Sequence, residues 1–379
     1  MSGPYTANDD GSIAYIGNKV FGPMPDVRWC EYPAAEMQRR VAQLREDPMW
    51  GHIARINHRI NLTANLYFDE MHAIYTALPL TTRMISSPGA VYGREAISYT
   101  TDTCPITLQW FDLPDVAFLS ESSQIYLELA LMQQGVSHVY SIYNSFRKEP
   151  ADATHLSEFH HIEYEGRVGQ EENLRVALGL TRCLINDLLA CNEADLAYFL
   201  TAARLRQVAD MAYRLPSVTP ITFQQALCLL YQRTGDDKYK RFTMDGTFGP
   251  WDEIALTEIV GGVAVVTQFP LLEVPFYHAS VDGVEPTVAD NADLIWPGYR
   301  EYLGSGHRVR SKAELDAKAR IFDLPLDDYR PYLQSRDCPE YVESSGFGLG
   351  WERFLQGLLE MPFIWSACQF PRGHTTLAP

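Results

Sequence analysis

The chain has few basic residues, no cysteine motif and no long apolar run, and each shortage removes a class of function. Lys and Arg number 31 against 48 Asp and Glu, for a formal charge of −17. Broad nucleic-acid binding needs clustered cations against phosphates, so this balance argues against it and leaves room only for a local basic patch. The seven cysteines are odd in number and scattered, with no Cys-x-x-Cys pair. Disulfide and zinc frameworks are therefore poor readings, and a reducing, cytoplasmic setting is expected. No stretch of about eighteen apolar residues occurs, and Met1 to Asp10 is polar and acidic, so neither a membrane span nor a signal peptide is expected. Repeats, low-complexity tracts and obvious linkers are absent too, which favours one large domain.

What is present alternates between two periods. Apolar residues recur at helical spacing over 34–45 and 53–77, broken by Asp47-Pro48. Strand-like segments follow at 116–118 and 136–143, with a helix between them at 124–132, and residues 159–165 alternate apolar and polar. Amphipathic helices are expected over 171–190 and 193–213, and Thr222 is a reasonable cap for a helix over 223–231. The runs 262–267 and 274–279 read as buried strands, followed by 292–296 and a helix pair at 312–322 and 326–335. The pattern predicts an α+β fold with an antiparallel sheet flanked by helices.

Near the C-terminus, Ser345-Gly346-Phe347-Gly348-Leu349-Gly350 leads into Trp351-Glu352-Arg353-Phe354-Leu355. Alternating glycines allow close backbone approach, and the residues after them carry a helical stripe. Arg353 falls in the first helical turn, where a guanidinium joins free N–H groups to hold a phosphate. The glycines fit neither of two common phosphate loops, since no Lys-Ser/Thr follows them and no acidic residue sits about twenty residues on in a βαβ setting. Upstream, the segment ending Phe146-Arg147-Lys148-Glu149 and the segment His155-Leu156-Ser157-Glu158-Phe159, running on to Glu163-Tyr164-Glu165, read as two strands joined by a polar loop. His160 and His161 face opposite sides of such a strand, so polar packing rather than joint chelation is expected.

The pattern strand-Phe-Arg-x-Glu, loop, His-Leu-x-Glu-Phe, strand-Glu-x-Glu resembles motif 2 of class II aminoacyl-tRNA synthetases of the asparaginyl and aspartyl subclass. The glycine stretch with Arg353, running on to Phe370-Pro371-Arg372, resembles motif 3. The helix ending near Ala77, with Leu78-Pro79-Leu80, is similar to motif 1, which implies a homodimer contact around Pro79. Further blocks match at Ser122 to Glu128 and Asp293 to Arg308. The resemblance spans roughly residues 55–379, so residues 1–52 are expected as an N-terminal extension and 53–379 as a catalytic domain with a helical insertion near 171–213.

The resemblance implies ATP-dependent formation of an acyl-adenylate. Arg147 and Arg353 would hold phosphates, Glu149 the adenine edge, Phe159 the adenine face and His155 the outer phosphates, with Gly350 beside them. Asp293 and Glu301 would hold Mg²⁺, a hard cation suited to carboxylates. Ser122, Gln124 and Glu163 match positions around the substrate amino group and amide. Arg308 matches the arginine that grips the amino-acid side chain, and a guanidinium favours an aspartate-like or dicarboxylate substrate.

The chain departs from the family pattern at Thr154, Val274 and Glu343-Ser344-Ser345, the last expected beside the amino acid. The residues before the motif 1 helix leave no space for the family's anticodon-binding barrel. That absence resembles archaeal asparagine synthetases related to asparaginyl-tRNA synthetase. The expected function is therefore amide formation: aspartate or a relative is adenylated and passed to ammonia or another amine, with tRNA an improbable partner. The alternatives are aminoacylation of tRNA or a carrier, and a non-catalytic nucleotide- or amino-acid-binding module.

Overall fold

A computed structural model describes residues 34–86, 105–148, 151, 153–240, 249–285, 287–361 and 363–378, with three short strands between residues 6 and 21. At its centre is an eight-stranded sheet. In chain order the strands are β1 (Ile74–Tyr75), β2 (His138–Phe146), β3 (Glu158–Gly166), β4 (Ile221–Thr222), β5 (Ala264–Thr267), β6 (Asn291–Ile295), β7 (Glu301–His307) and β8 (Ser345–Gly350). They lie side by side as β4-β5-β6-β7-β8-β3-β2-β1. The interior pairs are antiparallel, as the alternating patterns predict, and the short edge strands β1 and β4 run parallel to their neighbours.

Strand periodicity sorts the residues of β3 and β8 onto two faces. Tyr164 and Phe347 point to one face, where Tyr164 stacks 5.8 Å from Phe68 of helix α1 (Met49–Glu70) and 5.2 Å from Phe347. Helix α2 (Gln124–Ala130) approaches the other face. Helix α3 (Gln170–Cys191) covers the aromatic face, burying Leu180, Leu184 and Leu188 in the same core as Phe347 and Leu349. Most of the fold's apolar burial lies here, so the other face of these central strands is free to carry glycines and charges.

Several boundaries differ from the sequence reading for local reasons. The helix expected to reach residue 77 stops at Glu70, because His72 adopts φ 56° and turns the chain into β1. Residues 193–213 form two helices, Glu193–Phe199 and Ala202–Arg214, with Thr201 capping the second through its bond from the Arg204 N–H. Thr222 caps Phe223–Thr234 in a reciprocal capping box with Gln225. Residues 274–279 are not a ladder strand. His278 N–H closes a turn on Pro275 O at 3.1 Å, Pro275 has no N–H to give, and the segment pairs through an isolated antiparallel bridge between His278 and Arg308. Edge strand β1 leaves Ile74 and Tyr75 exposed, and Leu80, next to Pro79, is exposed as well.

Candidate active site

 Arg353 occupies the first turn of helix α10 (Trp351–Leu358). Between α3 and α10 run α4 (Glu193–Phe199), α5 (Ala202–Arg214), α6 (Phe223–Thr234), α7 (Pro250–Val260), α8 (Lys312–Ile321) and α9 (Leu326–Gln334), and α10 follows directly on β8. The Arg353 guanidinium is pinned by its Nη1 donating to Glu301 O at 2.8 Å, and Nε and Nη2 lie 3.4 Å from Thr154 O. Burial, then the neighbouring Arg300 cation, lowers its pKa from the usual arginine value. Arg147, His155, Phe159, Gly350 and Arg353 line one cleft together with Glu301, its enclosed part about 80 Å³. Arg147 lies with its guanidinium carbon 5.4 Å from the Phe159 ring centroid, and its N–H bonds Ser157 O across the two strands. Glu149 lies outside the described residues.

The two histidines of β3 separate as strand geometry requires. His160 Nδ1 sits 2.5 Å from Glu352 Oε1, and His161 Nδ1 sits 2.7 Å from Ser145 Oγ. Burial, then the Arg147 and Arg353 charges, pushes His161 down to about 3, so it is a neutral wall of the cleft.

Asp293 and Glu301 come together through an irregularity that the sequence did not signal. Between β6 and β7 the register shifts, so that Leu294 faces Leu303 but Ile295 faces Glu301, leaving Tyr302 as the extra residue of a β-bulge. Without the bulge, Glu301 and Gly304 would point to opposite faces. With it, both carboxylates lean over Gly304, where a Cβ would lie 2.8 Å from Glu301 Oε1 and 3.6 Å from Asp293 Oδ1. Burial, then the Glu301 charge, holds Asp293 well above the usual carboxylate range, and burial raises Glu301. Such a pair fits a divalent cation, which would relieve both costs. Among the described residues no group of three or more His, Cys, Asp and Glu is placed to hold a metal, so the remaining oxygens for Mg²⁺ would come from phosphates and water.

A second cluster lies further along the same face. Ser122 Oγ donates to Glu163 Oε1 at 2.7 Å, while the buried Oε2 has no hydrogen-bond partner among the described residues. Gln124 Nε2 donates to Glu165 Oε2 at 2.5 Å and Ser344 Oγ to Glu165 Oε1 at 2.7 Å. Arg308 grips the same carboxylate, with Nη2 at 2.8 Å from Oε2 and Nε at 3.0 Å from Oε1. Gly346 is what lets Glu165 lie there, since a Cβ would fall 2.0 Å from its Oε2. Helix α2 is held in place at its far end, where Tyr332 OH donates to Glu128 Oε2 at 2.5 Å.

In this geometry Arg308 is not the free cation that the sequence suggested. The side chains of Arg308 and Glu165 are 2% and 0% exposed, so the guanidinium is already neutralised and does not offer a free cation to a second carboxylate. The pair presents a donor beside an acceptor, which is the complement of an uncharged carboxamide. Glu165 is the site residue that sequence reasoning passed over, although strand period two places it on the same face as Glu163. Of the three residues expected beside the amino acid, only Ser344 reaches this cluster. Ser345 and Glu343 instead bond His307, at 2.7 Å from Nδ1 and Nε2 respectively.

Among the described residues, no helix is long and apolar enough to cross a membrane. The family model for class II tRNA synthetases (D, K and N) matches residues 33–374. The asparagine–tRNA ligase of Roseiflexus sp. is 30% identical over 69% of this chain and 58% of its own length, so the match spans little more than half of that relative. That of Pelotomaculum thermopropionicum is 30% identical over 90% of this chain and 73% of its own. Among solved structures, the Pyrococcus horikoshii asparaginyl-tRNA synthetase complexed with asparaginyl-adenylate superposes with a TM-score of 0.78 at 24% identity, covering 97% of this chain and 78% of that one. The expectation that tRNA is an improbable partner, drawn in part from this chain's acidic composition, is overturned by these relatives, which are named as tRNA ligases. A net charge averages over a whole surface and says little about one local patch. With the motif residues assembled on one sheet face and the family model matching nearly the whole chain, the protein belongs to the class II tRNA synthetases (D, K and N).

Proposed function

We propose that the chain activates the carboxylate of asparagine, or of a close relative carrying a carboxamide, with ATP and transfers the acyl group to tRNA. The buried Arg308–Glu165 pair carries this reading, because a neutral donor and acceptor suit an amide better than a carboxylate. In the first step a substrate carboxylate oxygen bonds the α-phosphorus while the bond to the β-phosphate oxygen breaks, and pyrophosphate leaves with the electron pair. Arg147 and Arg353 oppose the charge where the two anions meet, and no general base is required. Asp293 and Glu301 would hold Mg²⁺, which when bound supplies further charge neutralisation at the phosphates. In the second step a ribose hydroxyl of tRNA adds to the acyl carbon, AMP leaves, and the hydroxyl proton is lost to solvent. Transfer to ammonia or another amine would start from the same adenylate, and the names of the relatives favour tRNA.

The test is asparagine-dependent exchange of labelled pyrophosphate into ATP, followed by transfer of labelled asparagine to tRNA, with ammonia and hydroxylamine as competing acceptors. Exchange without label on tRNA would reject the tRNA step, and a folded protein giving no exchange with any amino acid would reject adenylation. The same assay has an expected pH profile. Burial pushes Glu163 up to about 7 against hydrogen bonds from Ser122 and Tyr143. Its charge, needed to hold an α-ammonium, is present above that pH and lost below it. Asparagine kcat/KM should therefore fall about tenfold per unit as pH drops below about 7, and a flat profile from 5.5 to 8 would remove Glu163 from that role.

A second copy of the chain covers the exposed apolar side chains of Ile74, Tyr75 and Leu80, beside the outer edge of β1. Sedimentation equilibrium should give about twice the 42.9 kDa of the chain. A monomer at micromolar concentration would exclude that contact.

A further inference from the structure

His278 is a buried histidine on the active-site face that the mechanism above does not use. It lies over Gly306, where a Cβ would fall 2.5 Å from the imidazole Cε1 and 2.7 Å from Nδ1. Gly306 shares its face with Gly304, over which the two metal carboxylates lean, because residues two apart on a strand point the same way. Across the ladder, Gly306 faces Asn291 on one side and Gly346 on the other, and Gly346 lies beneath Glu165 and Gln124. His278 therefore stands between the Asp293–Glu301 pair and the Arg308–Glu165 pair.

Two polar atoms at this spot lack hydrogen-bond partners among the described residues. They are His278 Nδ1 and Asn291 Nδ2, on side chains whose residues are 7% and 2% exposed. Unpaired buried polar atoms are costly unless a ligand satisfies them. The backbone holding the imidazole is fixed from several sides: Ala279 N–H donates to His307 O and Val309 N–H to Tyr277 O, at 2.8 and 2.9 Å, and Lys318 Nζ donates to His278 O. Burial, then the Arg308, Lys318 and His307 charges, holds the imidazole well below its usual pKa. A neutral ring carries one donor and one acceptor nitrogen.

We infer that His278, with Asn291 beside it, is a specificity-determining wall of the amino-acid pocket that hydrogen-bonds the amino-acid substrate between its reacting carboxylate and its side-chain amide. The inference rests on the adenylation reading of the same site, and it selects amino acids that bring a polar group to this position. Gly306 is part of the device, since a larger residue would displace the ring.

The experiment is calorimetric binding of asparagine and, separately, of ATP to the wild type, His278→Ala, His278→Gln, Gly306→Ala and the His278→Ala/Gly306→Ala double variant, with pyrophosphate exchange on each. His278→Ala is expected to weaken asparagine binding about tenfold or more and to leave ATP binding unchanged. His278→Gln should recover much of the loss, as a structural role filled by ring packing would not. Gly306→Ala should reproduce the defect alone and add little to His278→Ala, because no ring then remains to be displaced. Asparagine binding by His278→Ala within twofold of the wild type, or a Gly306→Ala defect that adds in full to it, would overturn the inference. Wild type that binds asparagine without exchange would remove the adenylation reading and leave the binding comparison to decide His278. Wild type that binds no amino acid would overturn both.

Discussion

Replacing Glu165 by Gln is expected to both destabilise the protein and change its amino-acid preference. The substitution keeps the size of the side chain and removes the anion that Arg308 grips through Nε and Nη2. With the Arg308 side chain 2% exposed, water cannot take over. Leaving one partner of a buried pair uncompensated costs about 3–5 kcal/mol, which for a chain of this size lowers Tm by roughly 4–6 °C. The same change converts a neutral donor and acceptor pair into an unpaired cation. If asparagine is the substrate, a substrate carboxylate then satisfies Arg308 in place of the amide, so the aspartate to asparagine ratio of kcat/KM should rise about a hundredfold. Melting curves with and without aspartate check both parts, since aspartate should restore stability to the variant and not to the wild type. Unchanged melting and an unchanged ratio would show that Arg308 and Glu165 do not form the side-chain site.

The largest loss of activity is expected at Arg353 and Arg147. Each places a fixed cation in the cleft where, on the adenylation reading, two anions must meet, and removing one such preorganised group costs about a hundred- to a thousandfold in rate. Arg353→Ala also leaves Glu301 O and Thr154 O without their donor, so circular dichroism and Tm must accompany the kinetics. Arg353→Lys separates the two effects: it keeps the charge and loses the fork, and its exchange rate should fall between those of wild type and Arg353→Ala. Arg147→Ala should reduce exchange more than it weakens asparagine binding, because Ser122, Glu163 and Glu165 are joined by hydrogen bonds further along the same face. Exchange within tenfold of wild type in both alanine variants would remove these arginines from the reaction.

Much of the cleft between Arg147 and Arg353 was legible because it is local. Arg353 follows Gly350 closely in sequence, and strand periodicity alone separates His160 from His161. The helix cap at Thr222 and the two strands flanking Arg147 and Phe159 follow from patterns of a few residues. What was not legible depends on register. Asp293 and Glu301 converge through the bulge at Tyr302, and no residue type at that position announces a bulge. Residues 274–279 looked like a strand because they are buried, and burial does not by itself specify ladder bonding. Ser344 and Ser345 are neighbours of the same type, yet one bonds Glu165 and the other His307 and Val168 O, since alternate residues leave opposite sides of the chain.

The sequence by itself determined the class of fold, the family resemblance and the motif residues that the fold brings together in the Arg147–Arg353 cleft, because those properties lie in short-range pattern. The tertiary structure alone decided which charges cancel. Arg308 read as a free cation for a carboxylate, and only the pairing of β3 with β8 brings Glu165 and Ser344 to it across residues far apart in the chain. Electrostatic character in a buried pocket belongs to the pair, and a linear sequence does not state its pairs.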